Sequence, residues 1–114
     1  MISGEMLKGS LKPIVLKMLS GGRRMYGYEI TQRVEELTEG KIKLTFGALY
    51  PVLHKLENDG YVHTESELVN NRNRIYYQLT ESGELAAIEK VSELEEFANT
   101  IRALLNPNIG KAYV

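Results

Sequence analysis

The stretch that decides the fold runs from Thr45 to Val62 and reads TFGALYPVLHKLENDGYV. Thr45 is a favourable N-cap, and Gly60 ends the helical pattern that follows it. Pro51 removes one hydrogen bond from this helix, but the periodicity continues beyond it. The apolar residues recur every three or four positions, which predicts one buried helix face, at Leu49, Val52, Leu53 and Leu56.

Two helices are predicted before this stretch. The first ends at Leu19, and a break in it is expected near Ser10 because Pro13 fits best in the first turn of a helix. The second covers about residues 27–38 and ends where Gly40 can adopt the left-handed conformation. The first helix stops at Ser20, Gly21 and Gly22, and a short turn joins the second helix to the third.

Two β-prone segments follow, at residues 61–66 and 74–79, and both are rich in aromatic and β-branched side chains. Residues 67–73 between them include asparagines that tolerate positive φ. The pattern predicts an antiparallel hairpin with a mobile tip. Tyr76 and Tyr77 point to opposite faces of their strand, so one of them is expected in the core.

A long last helix begins after Thr80, which can cap it alone, and stops at Asn106 and Pro107. Its apolar residues alternate at spacings of four and three for just under three heptads: Ala87, Val91, Leu94, Ala98, Ile101 and Leu105. This apolar stripe is widened by Ile88, Phe97 and Leu104. The stripe is either intramolecular core or a subunit contact. A free stripe of this size exceeds what monomers tolerate. We therefore expect a dimer interface at Leu7, Leu11, Val91, Leu94, Phe97, Ala98, Ile101, Leu104 and Leu105.

The composition limits the class of protein. A chain of 114 residues, with 43% hydrophobic and 25% charged residues, suits one globular domain. The absence of cysteine excludes a disulfide scaffold and a thiolate site, and it agrees with a cytoplasmic location. No apolar run is long enough to cross a membrane, and no signal peptide is expected at the N-terminus.

The sequence contains no pattern typical of an enzyme or a metal site. His54 and His63 are the only histidines, and they lack a ligand spacing. No glycine-rich phosphate loop is present, and no serine has a plausible His and Asp arrangement beside it. We expect neither catalysis nor a cofactor.

Charge is unevenly distributed along the chain. The net charge is −1, but residues 1–80 hold 11 Lys and Arg against 9 Asp and Glu, and residues 81–114 hold 3 against 6. A binding face depends on where charges lie more than on their sum. The basic residues near the turn, the third helix and the hairpin are Arg23, Arg24, Lys41, Lys43, Lys55, Arg72 and Arg74.

Three helices, a hairpin and a further helix form the order of a winged helix-turn-helix, a mainly α fold with a small β-hairpin. Residues 1–80 are assigned to this domain and residues 81–106 to a C-terminal dimerisation helix. Residues 107–114 are expected to be a disordered tail.

Four stretches resemble the PadR family of transcriptional regulators: MYGYEI at residues 25–30, GALYPVLHKLE at 47–57, GYV at 60–62 and RIYYQLT at 74–80. The resemblance covers roughly residues 5–105. It implies a dimeric winged-helix repressor, and the single C-terminal helix is similar to the shorter branch of that family. The hairpin has fewer basic residues than is usual for the family, so nonspecific DNA affinity is expected to be modest.

This arrangement selects a set of candidate DNA contacts. The first turn of the third helix would face base edges, and the start of the second helix would hold a phosphate. Plainer alternatives remain: Thr45 caps its helix only, Tyr50 belongs to the core, and Tyr26 and Tyr28 pack against the hairpin or the first helix. The candidates are Tyr26, Tyr28, Lys43, Thr45, Phe46, Gly47, Tyr50, His54, Lys55, Arg72 and Arg74.

We expect a homodimeric, sequence-specific repressor that binds double-stranded DNA at an inverted repeat. The alternative is a winged-helix module for protein interaction or ligand sensing that does not bind specific DNA. Some members of the PadR family bind planar aromatic compounds between subunits, often against a tryptophan. This chain has no tryptophan, so that site is not carried over. A small hydrophobic or aromatic effector stays a candidate partner.

Overall fold

The computed structural model describes residues 1–107, so the predicted disordered tail lies outside the described residues except for Pro107. Five helices and three strands follow one another along the chain. They are α1 (Gly4–Leu7), α2 (Leu11–Leu19), β1 (Met25–Tyr26), α3 (Gly27–Leu37), α4 (Phe46–Asn58), β2 (Val62–Val69), β3 (Arg72–Leu79) and α5 (Glu81–Leu105).

Helix α2 lies at the centre of the core. Val15, Leu16 and Leu19 have no exposed surface because α2 packs against α3, α4, β3 and α5. Burying one such side chain stabilises the fold by about 1.5–3 kcal/mol. The largest buried side chains contributed by the neighbouring helices are Ile30, Leu49, Leu53 and Leu56.

The N-terminal segment breaks where the sequence predicts. Helix α1 ends at Leu7, α2 begins after Ser10, and Pro13 lies in the first turn of α2. Leu7 is only 7% exposed and belongs to the core of its own chain, while Leu11 is half-buried against that core. Leu7 therefore offers little surface to a second subunit.

Helices α3 and α4 and the turn between them form the helix-turn-helix. The turn, residues 38–45, is anchored by Leu44 in the core and by the Thr38 hydroxyl, which accepts a hydrogen bond from the Ile42 amide at 3.1 Å. The Thr45 hydroxyl accepts from the Ala48 amide at 3.2 Å and caps α4 as predicted. Helix α4 continues without interruption through Pro51.

The sheet has three antiparallel strands in the order β1-β3-β2. Strand β1 was not predicted, because two residues are too few to show an alternating pattern. The predicted loop at 67–73 is wrong: strand pairing extends to Val69 opposite Arg72. Asn70 and Asn71 alone close the hairpin, with φ of 51° and 62°, the conformation of a two-residue type I′ turn. Tyr77 is the buried member of its tyrosine pair, as expected.

The start of α5 is joined to the end of α4. The hydroxyls of Thr80 and Ser82 both donate to the Gly60 carbonyl, at 2.7 and 3.1 Å. Thr80 also caps α5 by accepting from the Gly83 amide at 3.1 Å. Gly83 lies so close to the Tyr61 carbonyl that a Cβ at this position would overlap it. The backbone contact fixes where α5 leaves the domain.

The apolar stripe of α5 divides into two parts. Ala87 is buried, and Val91 and Leu94 are half-buried, where α5 packs along α2. Further along the helix, Phe97 is 60% exposed and Leu104 and Leu105 are each 71% exposed. Ala87 therefore belongs to the core of the chain, Val91 and Leu94 are only partly covered, and the second part of the stripe has no cover from residues 1–107. Over the described residues, no helix is both long and apolar enough to cross a membrane.

Gly83→Ala is expected to lower the free energy of unfolding by about 1–3 kcal/mol, because the new methyl group must displace backbone. Gly47→Ala is the matched control, since its Cβ would have no neighbour closer than 4.0 Å. The control should leave stability unchanged or raise it by up to about 1 kcal/mol. Urea unfolding at one protein concentration measures both, and equal effects would contradict the close contact at Gly83.

Candidate nucleic-acid interface

A groove of about 750 Å³ separates α4 from the hairpin β2–β3, here called the wing. Five predicted DNA contacts line this groove together: Tyr26, Tyr50, His54, Arg72 and Arg74. The structure adds residues that the sequence did not single out: Gly27, Val69, Asn70, Asn73, Ile75 and Tyr77. The groove is therefore built by α4, the start of α3 and both wing strands.

One exposed face of α4 is aromatic, and two of its three rings, Tyr50 and His54, line the groove. Phe46, Tyr50 and His54 follow one another at intervals of four residues, and neighbouring ring centres are 5.8 and 6.2 Å apart. All three are exposed because the opposite face of α4 supplies the core residues. This exposed face of α4 is therefore a row of three rings, with a histidine at its C-terminal end.

The groove floor forms where α4 meets the start of α3. Tyr50 packs over Gly27, where a Cβ would lie 2.5 Å from the Tyr50 hydroxyl oxygen. Tyr50 is also 36% exposed, so it packs against the domain and faces the groove at once. Burial raises the pKa of Tyr77 above its usual value, which keeps this hydroxyl neutral at pH 7.

Arg74 is held in place on the wing wall. Its guanidinium carbon lies 4.1 Å from the ring centre of Tyr26, and its Nη1 donates to the Tyr76 hydroxyl at 3.5 Å. The hydrogen bond to Tyr76 raises the pKa of Arg74, which stays charged at every physiological pH. Tyr26 meets Tyr76 edge to face at 5.5 Å. Tyr26 thus packs against the wing, one of the two alternatives for this residue, and positions Arg74.

The remaining predicted contacts lie outside the groove. Tyr28 is 52% exposed and stacks on Tyr26, with ring centres 6.4 Å apart. Lys55 is on another face of α4, where it forms an ion pair with Asp59 at 3.1 Å and lines a separate cavity beside Lys12. The others are exposed at the N-terminal end of α4 and just before it: Lys43, Thr45, Phe46 and Gly47.

The charged side chains that line the groove are basic. Among residues 1–107, the side chains that line it include Arg72 and Arg74 and no carboxylate. Acidic groups lie close by: the Glu29 carboxylate accepts from the Tyr26 amide at 3.1 Å at the start of α3, and Glu67 is paired with Arg74 across the wing. The described part of the chain contains no group of three potential metal-ligating side chains.

Apart from Arg72 and Arg74, sequence reasoning missed the wing residues of the groove because the strand register was unknown. Asn73, Ile75 and Tyr77 alternate along one face of β3, and the partner of Tyr77 on β2 is Thr64. The Thr64 hydroxyl donates to Glu57 of α4 at 3.4 Å, so this face of the wing is the one turned towards α4. The alternation was visible in the sequence, but the side facing α4 was not.

This fold and groove define a winged-helix protein, and comparison with known proteins identifies its family. The model of the transcriptional regulator PadR-like family matches residues 15–89. The transcriptional regulator Rv3488 of Mycobacterium tuberculosis is 36% identical over 77 residues, which cover 68% of this chain and 69% of that protein. The chain belongs to the PadR-like family of transcriptional regulators.

Solved structures agree with this assignment. A transcriptional regulator from Clostridium thermocellum has a TM-score of 0.76 and 26% identity, covering 87% of this chain and 96% of that one. Bacillus subtilis PadR, solved in complex with operator DNA, has a TM-score of 0.63 and 26% identity over 70% of this chain and 45% of that one. The predicted winged-helix fold is confirmed, as is the expectation that the chain is a regulator and not an enzyme.

The contact between Gly27 and Tyr50 is testable by a double-mutant cycle. Gly27→Ala should cost about 1–2 kcal/mol of unfolding free energy, because its methyl group meets the Tyr50 hydroxyl. In a Tyr50→Phe background the cost should fall by about 0.5–1 kcal/mol, because the crowded oxygen is gone. Additive effects of the two substitutions would show that this contact does not form the groove floor.

Proposed function

We propose that the chain is a homodimeric, sequence-specific repressor of transcription that binds an inverted-repeat operator. The observation that carries the proposal is the groove between α4 and the wing. It combines an exposed recognition helix with two arginines and lacks carboxylates among its described lining residues. A groove lined by arginines beside a helix-turn-helix suits a polyanion such as DNA.

Helix α4 is the reading element in this proposal. A major groove about 12 Å wide admits one α-helix, and the N-terminal residues of that helix meet the base edges. Thr45, Phe46 and Gly47 are exposed at this end of α4, and Lys43 lies just before it. Tyr50 and His54, one and two turns further on, would follow the groove along the same helix face.

The wing and the start of α3 are the positioning elements. Arg72 and Arg74 would contact phosphate oxygens, which fix the orientation of the protein without reading sequence. Tyr28 would contribute its hydroxyl to the same strand of the duplex. The operator complex of Bacillus subtilis PadR supports this assignment, because its fold superposes on 70% of this chain.

The second part of the apolar stripe is the proposed subunit contact. Phe97, Leu104 and Leu105 are exposed, and Ala98 and Ile101 lie between them on the same face. A second subunit that covered this surface would remove a contiguous apolar area from water. Leu11, Val91 and Leu94, half-buried beside it, would complete the contact.

The dimer determines the form of the operator. A two-fold axis presents one copy of α4 to each half-site, so the half-sites are inverted and about one or two helical turns apart, on the order of 34 Å per turn. The proposal places the protein in the cytoplasm, with the DNA that it would bind.

A small hydrophobic or aromatic effector belongs to the same proposal. A cavity of about 510 Å³ lies between α2 and α5, lined in part by Pro13, Leu94 and Phe97. Its size is within the range of small-molecule sites, about 300–1,000 Å³. An effector bound there would lie at the edge of the subunit contact, where it could alter the spacing of the two reading helices.

Arg72→Ala tests the phosphate contact of the wing. Binding is measured against salt on a duplex of scrambled sequence and on a site selected from random DNA by the wild-type protein. Two lost contacts per dimer should reduce the slope of log affinity against log salt by about 1.8 in magnitude, equally on both duplexes.

The matched control is Lys17→Ala, which removes an exposed charge on α2 outside the groove. It should leave the slope unchanged. An unchanged slope for Arg72→Ala would exclude the wing as a phosphate contact. If the wild-type protein bound neither duplex, the interaction-module alternative would replace DNA binding.

Phe97→Glu combined with Leu104→Glu tests the subunit contact. Both side chains are exposed in the chain, so the change should leave the fold intact but place charge in an apolar interface. Light scattering after size-exclusion chromatography should then report a monomer. Asn99→Glu with Ala103→Glu, on the polar face of α5, is the control and should stay dimeric. A folded dimer from the first variant would refute this interface.

A further inference from the structure

The face of the wing that carries Arg74 also holds a charged cluster that does not line the groove. Arg24, in the segment before β1, reaches across the sheet to β2. Its Nη1 donates to Glu65 at 3.1 Å, and its Nη2 donates to Glu67. One guanidinium is therefore shared by two carboxylates.

Aromatic rings connect this cluster to the DNA-facing arginine. The Arg24 guanidinium carbon lies 3.8 Å from the ring centre of Tyr76. Tyr76 meets Tyr26 edge to face, and Arg74 stacks on Tyr26. The order Arg24, Tyr76, Tyr26, Arg74 is thus a continuous set of cation–π and ring contacts. The two arginines share one surface but have different counter-charges.

The strand register brings the carboxylates close to Arg74. Glu65 is paired with Tyr76, and Glu67 is directly opposite Arg74. Side chains directly opposite in an antiparallel pair have Cβ atoms about 4.5–5.5 Å apart. A phosphate that approached Arg74 would therefore meet the negative charge of Glu67 on the neighbouring strand. Arg24 adds no net attraction for that phosphate, because it is already paired with two carboxylates.

We propose that Glu65 and Glu67 are specificity-determining residues that hold Arg24 away from DNA and weaken the phosphate contact of Arg74. The inference rests on the proposed DNA-binding function. Phosphate contacts provide nearly all of the affinity for nonspecific DNA, and base contacts provide discrimination. The two carboxylates beside the wing arginines lower the affinity for nonspecific DNA and leave the base contacts of α4 unchanged. The protein then depends more on base readout by α4.

The test is Glu65→Gln combined with Glu67→Gln, which keeps side-chain size and removes two negative charges per subunit. On a duplex of scrambled sequence, affinity should rise several-fold at low salt. The salt slope should steepen by about 1.8 for a dimer if each released Arg24 meets one phosphate. Affinity for the selected site should rise less, so the ratio of specific to nonspecific affinity should fall.

Two further variants separate this local effect from net charge and from folding. Glu95→Gln with Glu96→Gln makes the same charge change on the polar face of α5 and should leave the slope and the ratio near wild type. Adding Arg24→Gln to the Glu65 and Glu67 changes should return the slope to near its wild-type value. Thermal unfolding verifies that each variant is folded, and single substitutions replace any double variant that is not.

The outcomes distinguish the inference from the proposed function. If the wild-type protein binds the selected site with a salt slope but the Glu65 and Glu67 variant equals the α5 control, the inference is wrong and the proposed function stands. The inference is also wrong, and the proposed function stands, if adding Arg24→Gln leaves the whole increase in nonspecific affinity and salt slope in place. If no variant binds any duplex, both are wrong.

Discussion

Helix α2 is buried on several sides, and its burial determines how the other elements are arranged. This helix contacts α3, α4, β3 and α5, so each of those elements covers part of the same apolar surface. Leu16 and Leu19 have no exposed surface in the folded chain. Moving any one neighbour would expose apolar area at a cost of about 25 cal/mol per Å². The recognition helix, the wing strand and α5 are therefore held relative to one another by one shared core.

The exposed aromatic face of α4 is a consequence of that core. Because Leu49, Leu53 and Leu56 face α2, the residues on the other side of the helix must face outward, including Tyr50 and His54. Large rings left on a surface are informative when they line a concave, positively charged groove. Here Tyr50 and His54 share a groove with the wing arginines. Burial of one face of α4 in the core therefore leaves its aromatic face exposed to that groove.

Local chemistry explains what the sequence could predict. The Thr45 cap and the three- and four-residue spacing located α4, and strand alternation predicted that one of Tyr76 and Tyr77 lies in the core. Long-range geometry explains what it could not. Strand β1 exists only through its pairing with β3, and the engagement of Arg24 by carboxylates about forty residues away follows from the wing register. Lys55 follows His54 directly, but one step along a helix turns a side chain by about 100°, which sends it out of the groove.

The hydrogen bonds from Thr80 and Ser82 to Gly60 attach the start of α5 to the segment that follows α4, so this junction is the point about which α5 would pivot. A helix of 25 residues is about 37 Å long. A rotation of about 5° at this junction would therefore move the C-terminal end of α5 by roughly 3 Å. Helix α5 also packs along α2, so a shift at its far end would act on the shared core as well as on the junction with α4. At the junction, Gly83 lies directly against the Tyr61 carbonyl, with no room for a methyl group between them. The start of α5 and the segment after α4 would therefore move together.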